Sequence, residues 1–181
     1  MPLSGAGSLP YVGGDQGFTP RYWFPATSIP SGTTGVVVAG RQHWLPLLAP
    51  GLLVDRIGIN VTVGAAGGCR LGLYANDRGK PGKLIVDAGA VDTSAAALVE
   101  ATFAALRLPN DWVWLSSIFE GAPTVSVGTG ANPQVLGATS FTGVAKGLNA
   151  VQAYGAMPAN AAAAPTVATA STTPLIGVRK S

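Results

Sequence analysis

Side chains that could carry out acid–base or nucleophilic chemistry are sparse in this 181-residue chain. His43 is the single histidine, and a hydrolytic triad would need it beside a nucleophile and a carboxylate. The strand pattern around Trp44 offers no such setting, and the chain has no Gly-x-Ser-x-Gly elbow. We therefore interpret His43 as a strand histidine with local hydrogen bonds, and we predict no catalytic residue.

The carboxylates are too scattered to indicate a glycosidase, which needs two of them facing one bond across a cleft. No two of them occur at i, i+2 spacing, although pairing across strands stays open. They are Asp15, Asp55, Asp77, Asp87, Asp92, Glu100, Asp111 and Glu120. We expect that the protein is not an enzyme.

Metal and cofactor sites are not indicated either. The single cysteine, Cys69, excludes a disulfide framework and a multi-cysteine metal site. The loop at Asn76 and Asp77 has too few oxygen ligands for a calcium cage. The glycines of residues 128–130 are too closely spaced for a phosphate-binding loop. The sequence therefore predicts no metal and no cofactor.

Aromatic residues give the better indication of a binding site. Trp112 and Trp114 lie at i, i+2, so they point to the same face of one strand. If this face is inward, both are core residues; if it is outward, they form a platform for a sugar ring or a partner subunit. Tyr74 has the same two interpretations, and Asn76 and Arg78 lie in the polar loop that follows it. These five residues are the candidate contacts to a glycan or a partner.

The composition bears on the partners of the protein. Charged residues make up only 10% of the chain, against about 25% in typical soluble domains, which indicates a permanent assembly. The net charge is +3 and no basic run occurs, so we expect no nucleic-acid partner. No apolar run reaches the roughly 20 residues of a membrane span. The N-terminal residues lack the features of a secretory signal, so we expect no membrane insertion and synthesis in the cytoplasm without export.

Residues 53–119 alternate apolar and polar positions between clusters of Gly, Pro, Asn and Asp, which is typical of consecutive antiparallel strands. Within this stretch we expect Cys69, Leu71 and Leu73 to point inward. Residues 95–106 have some helix propensity, but the neighbouring strands and short connections favour a strand. The sequence predicts an all-β fold, an antiparallel β-sandwich of the jelly-roll type.

The composition divides the chain into three parts. Residues 1–20 are rich in Gly and Pro and form either a flexible tail or an extended arm held against another subunit; their apolar side chains favour the arm. Residues 21–127 form the predicted sandwich core. Residues 128–181 are predicted to be an irregular extension, with a closing strand within 173–178. Because a structureless loop of this length is uncommon, part of 128–170 should pack on a partner or on the flank of the sandwich.

Several short motifs follow one another between Arg56 and Leu115: I-G-I-N-V-T, R-L-G-L-Y, N-D-R-G-K-P-G-K-L, V-D-A-G and L-P-x-x-W-V-W-L. Their combination covers about a third of the chain and resembles a β-sandwich module of bacteriophage virion proteins, chiefly tail-fibre and related appendage proteins. The resemblance implies a virion structural role, an oligomer that is commonly a trimer, and contact with the host surface in some members. The motif residues of that family are architectural, so no catalytic residue carries over.

Three hypotheses for the function remain open at this point. The first is a tail-fibre or appendage subunit of the virion that assembles through residues 1–20 and its low-charge flanks and contacts a host glycan. The second is a capsid decoration protein on the phage head, without a receptor role. The third is a carbohydrate-binding module or glycan-active enzyme. The chain is shorter than typical fibres and has no coiled-coil or β-helical shaft, which leaves its place on the particle open.

Overall fold

The computed structural model describes residues 22–23, 30–128, 147–168 and 173–181, and every regular element within these ranges is a β-strand. None of these residues belongs to a helix that is long and apolar enough to cross a membrane. The strands are β1 (Tyr22–Trp23), β2 (Pro30–Val36), β3 (Arg41–Pro50), β4 (Leu53–Val63), β5 (Gly68–Asp77), β6 (Lys80–Asp92), β7 (Ala97–Arg107), β8 (Asn110–Phe119), β9 (Thr124–Gly128), β10 (Gly147–Val151), β11 (Thr166–Ala168) and β12 (Ile176–Lys180).

Strands β2 to β9 pair in a nested order. β5 pairs with β6, β4 with β7, β3 with β8, and β2 with β9, each time antiparallel. Further pairing of β4 with β9 and of β5 with β8 rolls this long hairpin into two sheets. Sheet A has the order β2-β9-β4-β7 and sheet B the order β3-β8-β5-β6. This is the arrangement of an eight-stranded jelly roll, and the predicted all-β antiparallel sandwich is confirmed.

The remaining strands extend the two sheets. In sheet B, β10 pairs with β3, and β11 pairs with β10. In sheet A, β12 pairs with β4, and β1 pairs with β12. The strand predicted within residues 173–178 is thus present as β12, shifted toward the C-terminus. The predicted arm of residues 1–20 lies outside the described residues, as do 129–146 and 169–172 of the predicted extension.

The main core lies between the two sheets. In β5 the residues Cys69, Leu71 and Leu73 are fully buried, so their predicted inward orientation is confirmed. They face Ile57 and Ile59 of β4, which are also buried. Burying a side chain of this size stabilises the fold by about 1.5–3 kcal/mol, so this alternating set accounts for much of the sandwich's stability.

The ambiguous stretch at residues 95–106 forms strand β7, as the sequence analysis favours. It pairs with β4 along its whole length. Val99 and Phe103 pack against the main core, whereas Leu98 on the opposite face is 54% exposed. The weak helix propensity of the alanines is overridden because β4 offers both backbone partners and an apolar face.

A second apolar cluster lies on the outer face of sheet B, beneath residues 152–165, which we call the covering segment. The segment runs between β10 and β11 and joins the edge of β6, where Leu84 N donates to Ala159 O and Ala161 N donates to Gly82 O, both at 2.9 Å. The cluster consists of Trp44, Tyr74, Trp114, Ile118, Leu148 and Met157. This part of the predicted extension therefore packs on the flank of the sandwich.

Candidate functional site

The candidate binding residues come together at one end of the outer face of sheet B. Tyr74 of β5 is the register partner of Trp114 of β8, and Trp112 is the partner of Leu48 of β3. Asn76 of β5 is paired with Pro81 of β6, directly before the hairpin turn. Pairing of β5 with β8 thus assembles candidate residues that the sequence separates by up to 40 positions.

The β5–β6 hairpin is closed by a two-residue turn at Arg78 and Gly79. Both residues have positive φ, 51° and 83°, as type I′ turns require. The Oδ1 atom of Asn76 accepts hydrogen bonds from Gly79 N and from Trp114 Nε1, each at 3.1 Å. Asn76 Oδ1 therefore fixes both the turn and the indole of Trp114. The side-chain nitrogen, Nδ2, is the atom that Asn76 can offer to a ligand.

Tyr74 and Trp114 are fully buried in the second cluster. The Tyr74 hydroxyl donates to Pro158 O at 2.8 Å and accepts from Gln42 Nε2 at 3.0 Å. Burial raises the pKa of Tyr74, so the phenol is neutral at physiological pH. The ring of Tyr74 meets that of Trp44 edge to face, with centroids 6.3 Å apart. Neither Tyr74 nor Trp114 presents a ring face to a ligand while the covering segment is in place.

Trp112 differs from Trp114 in its exposure and does not belong to the second cluster. Trp112 is partly exposed, and its register partner Leu48 is 52% exposed. Each of the two predicted interpretations therefore applies to one tryptophan of the pair. Trp114 is a core residue, and Trp112 keeps surface that a sugar ring or a partner can contact.

A cleft of about 520 Å³ opens between the hairpin and the covering segment. Its walls are held together by the backbone bonds of the covering segment to β6 and by the bridge between Lys83 and Asn160. It is lined by Ala75, Asn76, Asp77, Lys80, Pro81, Gly82, Lys83, Asn160, Ala161, Ala162 and Ala163. Of the predicted residues only Asn76 lines it. The sequence analysis missed Lys80, Lys83 and Asn160, although the basic residues clustered at 78–83 were a usable signal.

The charges at the cleft are mostly positive. Asp77 pairs with Arg78 at 3.7 Å, but both side chains are largely exposed, so this ion pair contributes little to stability. Among the described residues, no carboxylate forms an ion pair with Lys80 or Lys83. The cleft is therefore lined by two exposed lysines and one exposed aspartate.

The covering segment is anchored by Asp87 of β6. Arg70 Nε donates to both carboxylate oxygens of Asp87 at 2.9 Å, and Met157 N donates to Oδ2 at 3.0 Å. Burial alone would raise the pKa of Asp87, but the hydrogen bonds from Arg70, Met157 and Gly89 outweigh it and lower the pKa. The charged carboxylate thus ties the covering segment to sheet B at neutral pH.

His43 lies in the main sandwich rather than at the cleft. It is buried in β3, opposite Ser117 of β8, and neither ring nitrogen has a hydrogen-bond partner among the described residues. The predicted strand position is correct, but the predicted local hydrogen bonds are not found in this part of the chain. Burial, assisted by the charge of Arg41, lowers the pKa of His43 to about 4, because the imidazolium would lose its hydration.

The described residues bring together no group of three or more His, Cys, Asp or Glu side chains that could hold a metal ion. The buried His43 and Ser117 are out of reach of a solvent-borne substrate. No family model matches this chain, and the comparison with curated proteins gives no match.

Proposed function

We propose that this chain is a structural protein of a bacteriophage virion, a tail-fibre or tail-appendage subunit that contributes to attachment at the host surface. The motifs between Arg56 and Leu115 that resemble virion modules support this proposal, as does the low content of charge. Jelly rolls are also common among viral capsid proteins and lectin domains. The observation that carries the attachment role is the open polar cleft at the hairpin, with Trp112 partly exposed on the same end of sheet B.

The surface around Trp112 is suited to a saccharide. An indole accepts the apolar face of a sugar ring, while amides and ammonium groups bond to the hydroxyls at the ring's edge. Leu48 widens the apolar part of this surface, and Asn76, which lines the cleft, supplies an amide from the neighbouring strand β5. Because Asn76 and the type I′ turn are fixed by hydrogen bonds, little ordering is required of them on binding.

The attachment role is tested by competition. Purified chain is added to host cells before particles that carry the same protein, and the fraction of unadsorbed particles is measured. Wild-type chain should raise this fraction. Trp112→Ala should lose the effect, whereas Val151→Ala, which alters an apolar residue that is 83% exposed on β10, should keep it. If saturating wild-type chain leaves adsorption unchanged, the attachment role is wrong.

The place on the particle is a separate question, since a head decoration protein is the second candidate. Electron microscopy of particles labelled on this chain should show label on tails; label confined to heads would favour decoration. Deleting residues 1–20 should detach the protein from particles while the circular dichroism of the sandwich is retained. A truncated chain that is still incorporated normally would contradict the proposed arm.

A homo-oligomer, with a trimer favoured, is part of the proposal. Val36, Val63 and Leu98, which belong to three strands of sheet A, are 55%, 60% and 54% exposed, and we propose that these apolar side chains take part in subunit contacts. Sedimentation equilibrium should give a trimer mass for wild type. Val63→Lys combined with Leu98→Lys should shift it toward monomer, and Val151→Lys should not.

A glycan-active enzyme is the remaining alternative, and a turnover assay separates it from a binding protein. Host polysaccharide incubated with the purified chain is expected to release no reducing ends above the buffer control. A steady release that depends on the concentration of chain would overturn the non-enzymatic proposal.

A further inference from the structure

We infer that the cleft between the β5–β6 hairpin and the covering segment takes a saccharide that carries carboxylate or phosphate groups. This inference rests on the proposed attachment function and specifies the chemical class of its ligand. Arg78, Lys80 and Lys83 are three of the chain's 11 basic residues, and they fall within six positions of one hairpin. The ligand class follows from these positive charges and from the other residues that line the cleft.

The two lysines are available to a ligand. Both are exposed, both line the cleft, and neither forms an ion pair with a carboxylate of the described residues. The nearest acid in sequence, Asp77, is 3.7 Å from Arg78, so part of its charge is already balanced. An anionic group in the cleft would therefore meet two lysines that share one lining acid, Asp77, with Arg78, whereas a neutral ligand would leave the excess positive charge unbalanced.

The remaining lining favours a sugar over a small inorganic ion. Pro81 and the three alanines 161–163 form an apolar wall, and Asn76 and Asn160 add amide groups. A volume of about 520 Å³ lies within the range of small-molecule sites, far more than a single phosphate or carboxylate fills. An apolar wall beside amides and ammonium groups matches a pyranose ring that bears an acidic substituent.

The test compares three probes of equal length by titration calorimetry: a galacturonate oligosaccharide, a phosphorylated malto-oligosaccharide and a neutral malto-oligosaccharide. The full chain should bind at least one of the two anionic probes more tightly than the neutral one, and the tighter of the two identifies carboxylate or phosphate as the group recognised. The affinity should fall as salt is raised, because exposed charges are screened.

Lys80→Gln combined with Lys83→Gln should weaken binding of the preferred anionic probe about tenfold, as expected for two exposed charge contacts. Lys180→Gln on β12 of sheet A makes the same kind of change away from the cleft and should leave the affinity within about twofold of wild type. Circular dichroism of each variant should match wild type, since Lys80 and Lys83 are exposed.

The inference is overturned if neither anionic probe binds, or if the double variant binds as tightly as wild type. It is also overturned if the neutral probe binds as well as the anionic ones. These outcomes leave the attachment function standing as long as the wild-type chain still competes with particles for host cells. Loss of that competition, by contrast, removes the attachment function itself, whichever probe binds.

Discussion

Replacing Met157 by alanine tests whether the covering segment is held on sheet B by its own packing. The Met157 side chain is 5% exposed and lies among Trp44, Tyr74 and Trp114 in the second cluster. It also contacts Gln42, whose Nε2 atom is 3.5 Å from the sulfur. Truncation removes three heavy atoms from this cluster and leaves the backbone bonds of the segment intact.

The expected cost follows from burial. Truncating a buried methionine to alanine destabilises proteins by about 2–5 kcal/mol, and the low end applies here because a surface segment can settle into the space left. A loss of about 2 kcal/mol is equivalent to two of the segment's hydrogen bonds, at about 1 kcal/mol each. Because 1.4 kcal/mol is a factor of ten, the open form of the segment should become about thirtyfold more populated.

Native-state hydrogen exchange measures this population. The amides of Leu84 and Ala161, which bond the segment to β6, should exchange about thirtyfold faster in Met157→Ala. The amide of Leu73 in the centre of sheet B should change much less. Met157→Leu keeps the volume and should cost less than about 1.5 kcal/mol. If Leu84, Ala161 and Leu73 all accelerate equally, the segment does not open as a separate unit and the reasoning is wrong.

His43, Cys69 and Gly72 provide further tests. The folded-state pKa of His43 is about 4, below its ordinary 6.5, so the unfolded chain binds this proton first. The free energy of unfolding should therefore be highest above pH 6.5 and fall by up to about 3 kcal/mol as the pH is lowered toward 4. Urea unfolding midpoints of the wild type should fall over this pH range, and those of His43→Gln should lack this fall. Burial raises the pKa of the Cys69 thiol, so a thiol reagent should label it only in urea; rapid labelling of native protein would contradict this. Gly72→Ala would place a Cβ 2.9 Å from Val86 O, so we expect the free energy of unfolding to fall by about 1–3 kcal/mol. Gly155→Ala is the control, because a Cβ at that position meets nothing within 4 Å.

Much of the sandwich follows from local pattern. Cys69, Leu71 and Leu73 point inward because side chains alternate between the two faces of a strand. A register shift of one residue would turn all three to the outer face. The strand predicted within residues 95–106 is present as β7, because the neighbouring strands and short connections outweigh the helix propensity of its alanines. The position of Pro46 also agrees with its chemistry: pairing of β10 with β3 ends at Trp44, so Pro46 lies where that edge of β3 has no partner among the described strands.

The outer face of sheet B was less accessible to sequence reasoning. Tyr74 points away from the main core, as its place in the alternation requires, yet it is fully buried because Met157 and Pro158 cover it. Residues 152–165 show no period, since they pack as an irregular chain rather than as a helix or strand. Burial of Tyr74 therefore depends on contacts more than 80 positions away, which composition and spacing do not encode.

The cleft could not be predicted from the sequence for the same reason, because it depends on contacts between segments distant in the chain. Lys80 and Asn160 belong to two segments distant in sequence, which are joined by the backbone bonds at Gly82 and Leu84 and by the bond from Met157 N to Asp87. The predicted polar loop that contains Asn76 and Arg78 is a hairpin in the structure, with its turn confined to Arg78 and Gly79. Sequence reasoning did not place the covering segment, which forms the second wall of the cleft. Without this wall, Lys80 would be an ordinary solvated lysine.

The nested pairing of β2 to β9 has a consequence for how fast and in what order the chain folds. The innermost pair, β5 and β6, is joined by two residues, whereas β2 and β9 are separated by residues 37–123. Each inner pair that forms shortens the loop that the next outer pair must close, so the roll should nucleate at the hairpin and zip outward. Substitutions at Arg78 or Gly79 should then slow refolding, and the hairpin that presents the cleft also starts the assembly of the whole sandwich.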